Sequence, residues 1–182
     1  MFIEKPDERQ WQNLVCRHGM PLFDDRSWNM PEHHENITAP TCSGEVILLI
    51  FNLAGSCIFV RRAGSSDWFF PMGRIEFGEG IIDAARREAK EETGAIIEPI
   101  GVPLCYKVTI SFSNLTFQRW HFVVVAETAM SDFELHDRQE IEEARLFDRP
   151  PNVDDVTMMG WMQDLHRAGT RYLRSLDAMD GI

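Results

Sequence analysis

Three carboxylates, Glu88, Glu91 and Glu92, crowd into one short stretch, GRIEFGEGIIDAARREAKEETGA, that runs from Gly73 to Ala95. Like charges three or four residues apart on a helix repel, at a cost of about 0.2–0.5 kcal/mol per pair. A cluster of this kind implies a cation between the acids, and hard oxygen donors in this number suit Mg²⁺ or Mn²⁺. The local pattern reads as a helix from Gly80 to Thr93: Ala84, Ala85 and Ala89 favour it, and Gly94 is a natural stop. At about 100° per residue, Ile81, Ile82, Ala85 and Ala89 form its apolar stripe. Asp83, Arg86, Arg87 and Lys90 fall on the far side. Glu88 and Glu92 border the stripe, and Glu91 lies beside Glu88. Acidic runs on helices are usually solvated faces, but acids at the margin of a buried face need partners.

The loop before this helix, PMGRIEFGEG, carries Gly73, Gly78 and Gly80, which let the backbone turn sharply and approach a ligand. A glycine loop leading into a helix N-terminus is a weak phosphate signal alone. Joined to an acidic metal platform, it becomes specific. Attack of water on phosphorus needs neutralised phosphate oxygens and an oriented, deprotonated nucleophile, and carboxylate-held metal ions supply both.

The pattern G-x5-E-x7-R-E-U-x-E-E-x-G-U, with U an aliphatic residue, resembles the box of the Nudix family. Gly73, Glu79, Arg87, Glu88, Ala89, Glu91, Glu92, Gly94 and Ala95 match it. The resemblance implies a hydrolase of a nucleoside diphosphate linked to another moiety, with a small nucleotide as substrate and Mg²⁺ or Mn²⁺ as cofactor. It assigns the metal to Glu88, Glu91 and Glu92, with a backbone carbonyl of Met72 or Gly73 as a further ligand. Glu88 and Glu91 would also share in activating water. Glu79 and Arg87 would hold loop and helix in register through an ion pair. The family more often has Gly-Gly where Met72-Gly73 stands, and a positive φ at Met72 would be strained. A nucleotide sensor that does not cleave its ligand is the alternative, although such modules usually have a degraded box.

Outside the box the signals are weaker. A base from a later loop would be Glu134, Glu140, Glu142 or Glu143, with Glu140 preferred because it opens the strand-like EIEEARLF. Arg61, Arg62, Arg74, Lys107 and Arg119 are the phosphate-contact candidates, Arg74 being beside the metal loop. Trp68, Phe70, Tyr106, Phe112, Trp120 and His121 are the stacking candidates, against the commoner role of strand aromatics in cores. Arg74, Arg62 and Trp68 are taken as the substrate-binding set. The SQPWPFPxS array of NADH pyrophosphatases is missing after the box. Ile110 and Ser111 stand where ADP-ribose hydrolases often have proline, and no tyrosine occupies Ser111–Ser113, where diadenosine polyphosphate hydrolases often have one.

These groups need a frame. The 182 residues suit one domain, and the net charge of −11 argues against binding a nucleic-acid duplex. Apolar runs such as Val46–Phe51 are too short to cross a bilayer, and no leader is visible, so a cytoplasmic location is expected. Cys16, Cys42, Cys57 and Cys105 lack CxxC spacing and read as free thiols. With His18, His33 and His34, Cys16 and Cys42 match no usual zinc spacing.

Residues 1–40 read as an extension with a short helix near Asp7–Cys16, packed on a domain of residues 41–182. It is expected to shape the pocket or an oligomer contact, a homodimer included. SGEVILLIFN and SCIFVRR form one predicted hairpin; LCYKVTISF and TFQRWHFVVVAET form another. DWFFP and AIIEPI add short strands. A final helix follows Pro150-Pro151, with Asn152 as its expected cap and Asp154 and Asp155 near its positive end. These elements predict an α/β fold, a Nudix-like α/β/α sandwich with a mixed β-sheet between helices.

Overall fold

The computed structural model describes residues 1–29, 39–111, 115–130, 133, 135 and 139–180. The candidates His33, His34, Phe112 and Glu134 lie outside the described residues. Along the chain run β1 (Phe2–Glu4), α1 (Glu8–His18), β2 (Leu22–Asn29), β3 (Glu45–Asn52), β4 (Cys57–Arg62), β5 (Trp68–Phe69) and β6 (Met72–Arg74). They are followed by α2 (Ile81–Thr93), β7 (Glu98–Ser111), β8 (Thr116–Thr128), β9 (Ile141–Phe147) and α3 (Val156–Asp180).

The unbroken apolar run of β3 reflects a strand covered on both faces. Val46, Leu48 and Ile50 point into a core under α1 and α2 with Ile81, Ala85 and Ala89. Ile47, Leu49 and Phe51 point into a second core under α3 with Met162 and Leu165. Helices therefore cover both faces of the mixed sheet, as the sequence predicts. The sheet runs β2-β7-β8-β3-β4-β5, with β1 on β8, β6 on β3 and β9 on β4. β3 lies parallel to β8 over its whole length, whereas its antiparallel contact with β4 is confined to Phe51 and Cys57.

The predicted strands AIIEPI and LCYKVTISF are one element, β7, broken in register near Pro99, Gly101 and Leu104. The extension contributes more than a helix. β1 pairs parallel with β8 and β2 pairs parallel with β7, so residues 2–4 and 22–29 belong to the main sheet. The last helix starts later than expected: the Met158 amide donates to Asp155 Oδ1 at 2.9 Å, so Asp155 rather than Asn152 caps α3. Cys42, Cys57 and Cys105 are buried free thiols, and Cys16 is exposed. Among the described residues no helix is long and apolar enough to cross a membrane.

Arg119, expected as a phosphate contact, is instead buried between Glu4 and Glu45 and donates to both. Glu4 is fully buried, and its Oε1 accepts from the Thr41 amide at 3.0 Å and the Thr41 hydroxyl at 2.9 Å. Burial alone would raise the Glu4 pKa, but the Arg119 and Thr41 hydrogen bonds outweigh it and hold it below the ordinary 4.5. A lowered carboxyl adds stability above its unfolded pKa and loses it as pH falls through the folded value. Glu4→Gln should therefore cost about 2 kcal/mol near neutrality in urea denaturation. The difference from wild type should shrink toward pH ~3; a difference independent of pH would remove Glu4 as the titrating group.

Candidate active site

Two glycines bound the acidic helix. Gly80 supplies an extended N-cap, and Gly94 takes the left-handed conformation at φ 70° while its amide donates to the Lys90 carbonyl. Ile81, Ala84, Ala85 and Ala89 seat α2 on the sheet, and the same face carries the buried carboxyl of Glu92. That side chain is 5% exposed, and its Oε2 accepts the Met72 amide at 2.9 Å. Glu88 lies one turn earlier, against the same turn of β6. A Cβ on Gly73 would stand 2.0 Å from the Glu88 Cδ, so no other residue fits there unless the carboxylate leaves.

The departure from Gly-Gly carries no strain. Among the described residues no non-glycine has a positive φ, and Met72 is an ordinary strand residue opposite Ile47. The glycine requirement falls on Gly73 and comes from space rather than from backbone conformation.

Arg87 does not stay on the solvated side of α2. Its Nε and Nη2 bind Glu79 Oε1 and Oε2, each at 2.9 Å. Nη1 donates to Glu88 Oε1 at 2.7 Å and Glu91 Oε2 at 3.0 Å, and Nη2 also donates to the Arg74 carbonyl at 2.8 Å. All five N–H donors of one guanidinium are thereby used. The Glu79 side chain in turn accepts the Glu76 amide at 3.0 Å, which closes the loop that Gly78 turns at φ 82°.

The electrostatics separate these acids. Burial would raise Glu79, but its bonds to Arg87 and the Glu76 amide outweigh that and lower its pKa. Glu88 is raised by burial and by the neighbouring charges of Glu91 and Glu140, against the opposing pull of Arg87. Glu92 is pushed up to about 8, by burial first and then by Glu88 and Glu140, with the Met72 amide opposing. Burial is the first cause at both Glu88 and Glu92 and neighbouring acids add to it, so a cation bound there would favour their charged forms. Arg87 supplies part of that cation for Glu88 and Glu91, and among the described residues no three such side chains already converge as a metal cage.

The other candidates sort clearly. Glu140 acts on both Glu88 and Glu92 and lies 3.6 Å from Arg62. Glu142 and Glu143 instead pair with Arg61 at 2.8 and 3.0 Å. Arg62 is half-exposed and its charge is felt at Glu92; Arg74 is exposed on β6. Lys107 sits over the rings of Phe23 and Trp120, and Phe70, Tyr106 and His121 are buried core residues. The Trp68 ring lies edge-on to Phe147 at 5.0 Å, with Arg61 and Arg145 at 5.8 and 5.7 Å from it.

Sequence reasoning missed Gln10. It is 5% exposed on α1, and its Nε2 donates to the Glu79 carbonyl. Asp7-x-x-Gln10 is legible as a capping box, but nothing local reveals the loop that its amide reaches.

Comparison with known proteins agrees with this geometry. A family model described as NUDIX domain matches residues 44–163. An 8-oxo-dGDP phosphatase of Mus musculus is 45% identical over 40 residues, which is 22% of this chain and 12% of that protein. An RNA pyrophosphohydrolase of Psychrobacter sp. (strain PRwf-1) is 36% identical over 58 residues, 32% of this chain and 34% of the relative. The matched segments thus span only a minor part of these curated relatives. A solved UDP-X diphosphatase structure shares the fold at a TM-score of 0.51 and 18% identity, over 91% of this chain and 71% of that one. Because the family model takes in most of the chain and encloses the whole Gly73–Ala95 stretch, the protein belongs to the Nudix family.

Proposed function

We propose that this chain hydrolyses a phosphoanhydride bond in a nucleoside diphosphate linked to another moiety, using Mg²⁺ or Mn²⁺ held by Glu88, Glu91 and Glu92. One observation carries the reading: α2 presses two acids onto the β6 turn, Glu88 against Gly73 and Glu92 onto the Met72 amide, where burial and like charge raise both. Structural carboxylates are normally placed to be neutralised more completely than this. The donor set fits a hard divalent cation, with a Met72 or Gly73 carbonyl as an additional oxygen.

Such a cation supplies charge neutralisation at the phosphate oxygens and an acidified water. The protein's own groups do the rest. Arg87, anchored on Glu79, holds Glu88 against the β6 turn and Glu91 beside it on α2. Glu140 is the later-loop acid whose charge reaches Glu88 and Glu92, and in this reading it accepts a proton as the water oxygen bonds to phosphorus. The bridging oxygen then leaves with its electron pair. Exposed Arg62, whose charge is felt at Glu92, and exposed Arg74, whose carbonyl accepts from Arg87, are the side chains this reading gives to the remaining phosphate charge.

The curated relatives named above are, by name, an 8-oxo-dGDP phosphatase and an RNA pyrophosphohydrolase, which supports hydrolysis at phosphate without choosing a substrate. The net charge of −11 favours a small nucleotide over a duplex. Arg87 gives a second reading some support: its hydrogen bonds already neutralise part of Glu88 and Glu91, as in a module that senses a nucleotide without cleaving it.

A panel of nucleoside triphosphates, nucleotide sugars, ADP-ribose, NADH and dinucleoside polyphosphates, assayed for phosphate and nucleotide release with and without Mg²⁺ or Mn²⁺, separates the two. Metal-dependent turnover of one class supports hydrolysis; tight binding without turnover supports sensing. Glu92→Gln should keep the fold and cut hydrolysis by at least about a hundredfold, and near-normal turnover would remove Glu92 from the site. Gly73→Ala needs no forbidden φ, so the protein should melt near the wild-type temperature. Its displaced Glu88 should nevertheless cost at least about tenfold in turnover. Full activity in that variant would show that Glu88 acts from elsewhere.

A further inference from the structure

The Nudix loop is held from outside the domain that the family model recognises, and the hold runs through one side chain. Gln10 lies in the first turn of α1, where Asp7 is the N-cap. Its Oε1 accepts the Asp7 amide at 2.7 Å, and its own amide donates to Asp7 Oδ1 at 2.8 Å, which completes a capping box. That leaves the carboxamide Nε2, which donates to the backbone carbonyl of Glu79. The side chain is 5% exposed, so both ends of a buried amide are satisfied, one within α1 and one across to the loop.

Helix α1 is a firm support for such a contact. Leu14 is buried in the core shared with α2, and Trp11 packs on Trp120 at 5.6 Å, on Phe23 at 5.7 Å and on Phe122 at 6.4 Å. The anchor therefore rests on the main sheet through β2 and β8. On the receiving side, the Glu79 carboxylate is the bidentate seat of Arg87, whose Nη1 grips Glu88 and Glu91.

We propose that Gln10 is a positioning residue for the metal platform: it pins the Glu79 backbone so that Arg87 keeps its hold on both Glu88 and Glu91. The inference rests on the reading of Glu88, Glu91 and Glu92 as metal ligands. It adds that residues 1–18, which lie before the recognised domain, complete the site. Gln10 touches no reacting atom and acts only through Glu79.

The substitutions Gln10→Glu and Gln10→Met distinguish the two bonds. Glutamate keeps the acceptor that caps α1 and removes the donor to Glu79; methionine removes both. Gln12→Ala, on the exposed side of α1, is the control. Each full-length variant is measured by thermal melting, by hydrogen exchange of the segment from Glu76 to Gly80, by Mn²⁺ titration and by steady-state kinetics on the turned-over substrate.

In Gln10→Glu the melting temperature should fall by a few degrees, because an acid oxygen then faces the Glu79 carbonyl, and the loop amides should exchange about tenfold faster than that global loss alone explains. Mn²⁺ affinity should fall about tenfold, the scale of a lost group that orients metal ligands. Turnover should drop with KM within about twofold. Gln10→Met should reproduce the loss of Mn²⁺ affinity, which separates a missing donor from an added charge. Unchanged loop exchange and Mn²⁺ affinity in both variants would overturn the proposal. If the wild-type protein turns over nothing, the hydrolase reading falls, whereas the exchange and Mn²⁺ measurements still decide the role of Gln10.

Discussion

One guanidinium organises this site. Arg87 has five N–H groups and all are committed, to Glu79 twice, to Glu88, to Glu91 and to the Arg74 carbonyl. Through them a loop, a helix and a short strand share a single rigid planar group, which fixes their relative positions better than flexible ion pairs on three separate bases would. The same charge produces opposite outcomes at its partners. Glu79 receives two bonds plus a backbone amide and titrates low, while Glu88 receives one bond, is more buried and faces other acids, and titrates high. Glu92 has the Met72 amide and the more distant Arg62 charge for support, which do not offset its burial, and it is pushed up to about 8. A single cation shared unevenly thus lowers Glu79 while leaving the more buried Glu88 raised.

The placement of that cation's partners depends on β3. Because its alternate residues are buried in two different cores, its position is fixed from both sides. β6 is only three residues long and pairs with β3 through Glu45, Val46 and Ile47. Met72 and Gly73 inherit their location from this ladder, and α2 inherits its height from the alanines packed above it. The close fit of Glu88 over Gly73 follows from two well-buried elements meeting, with no freedom left for a methyl group between them.

Much of this was legible in the residues, for reasons of period and local chemistry. α2 announced itself through alanines, a glycine stop and a stripe at helical spacing, and the three acids stood out because they fell at the margin of that stripe. The layers followed from strand runs and their order. What stayed hidden depended on contacts distant in sequence. Glu4 and Arg119 look like surface charges until β1 is laid beside β8, and Gln10 looks like a helix cap until α1 meets the loop. Arg119, Lys107 and Trp120 could not be sorted from Arg62 and Arg74 by composition, since only the fold decides which face of a strand is covered. Met72 seemed a source of strain because a family pattern was read as a backbone requirement, whereas the constraint was room for a carboxylate one residue later. The start of α3 was misplaced because Asn152 and Asp155 are both good caps, and tertiary packing chose between them.

The parallel pairing of the first strands has a consequence for synthesis. Phe2 finds its partner in Phe117 and Leu22 in Leu104, so β1 and β2 are synthesised well before the strands they join. Parallel strands joined by such long excursions close slowly, because loop entropy is lost before any pairing repays it. Until that pairing forms, Phe2, Phe23 and the apolar side of α1 lack their native cover, the kind of exposure that favours association between incompletely folded chains. The loop beside the acids gains its contact with Gln10 only once α1 has met it.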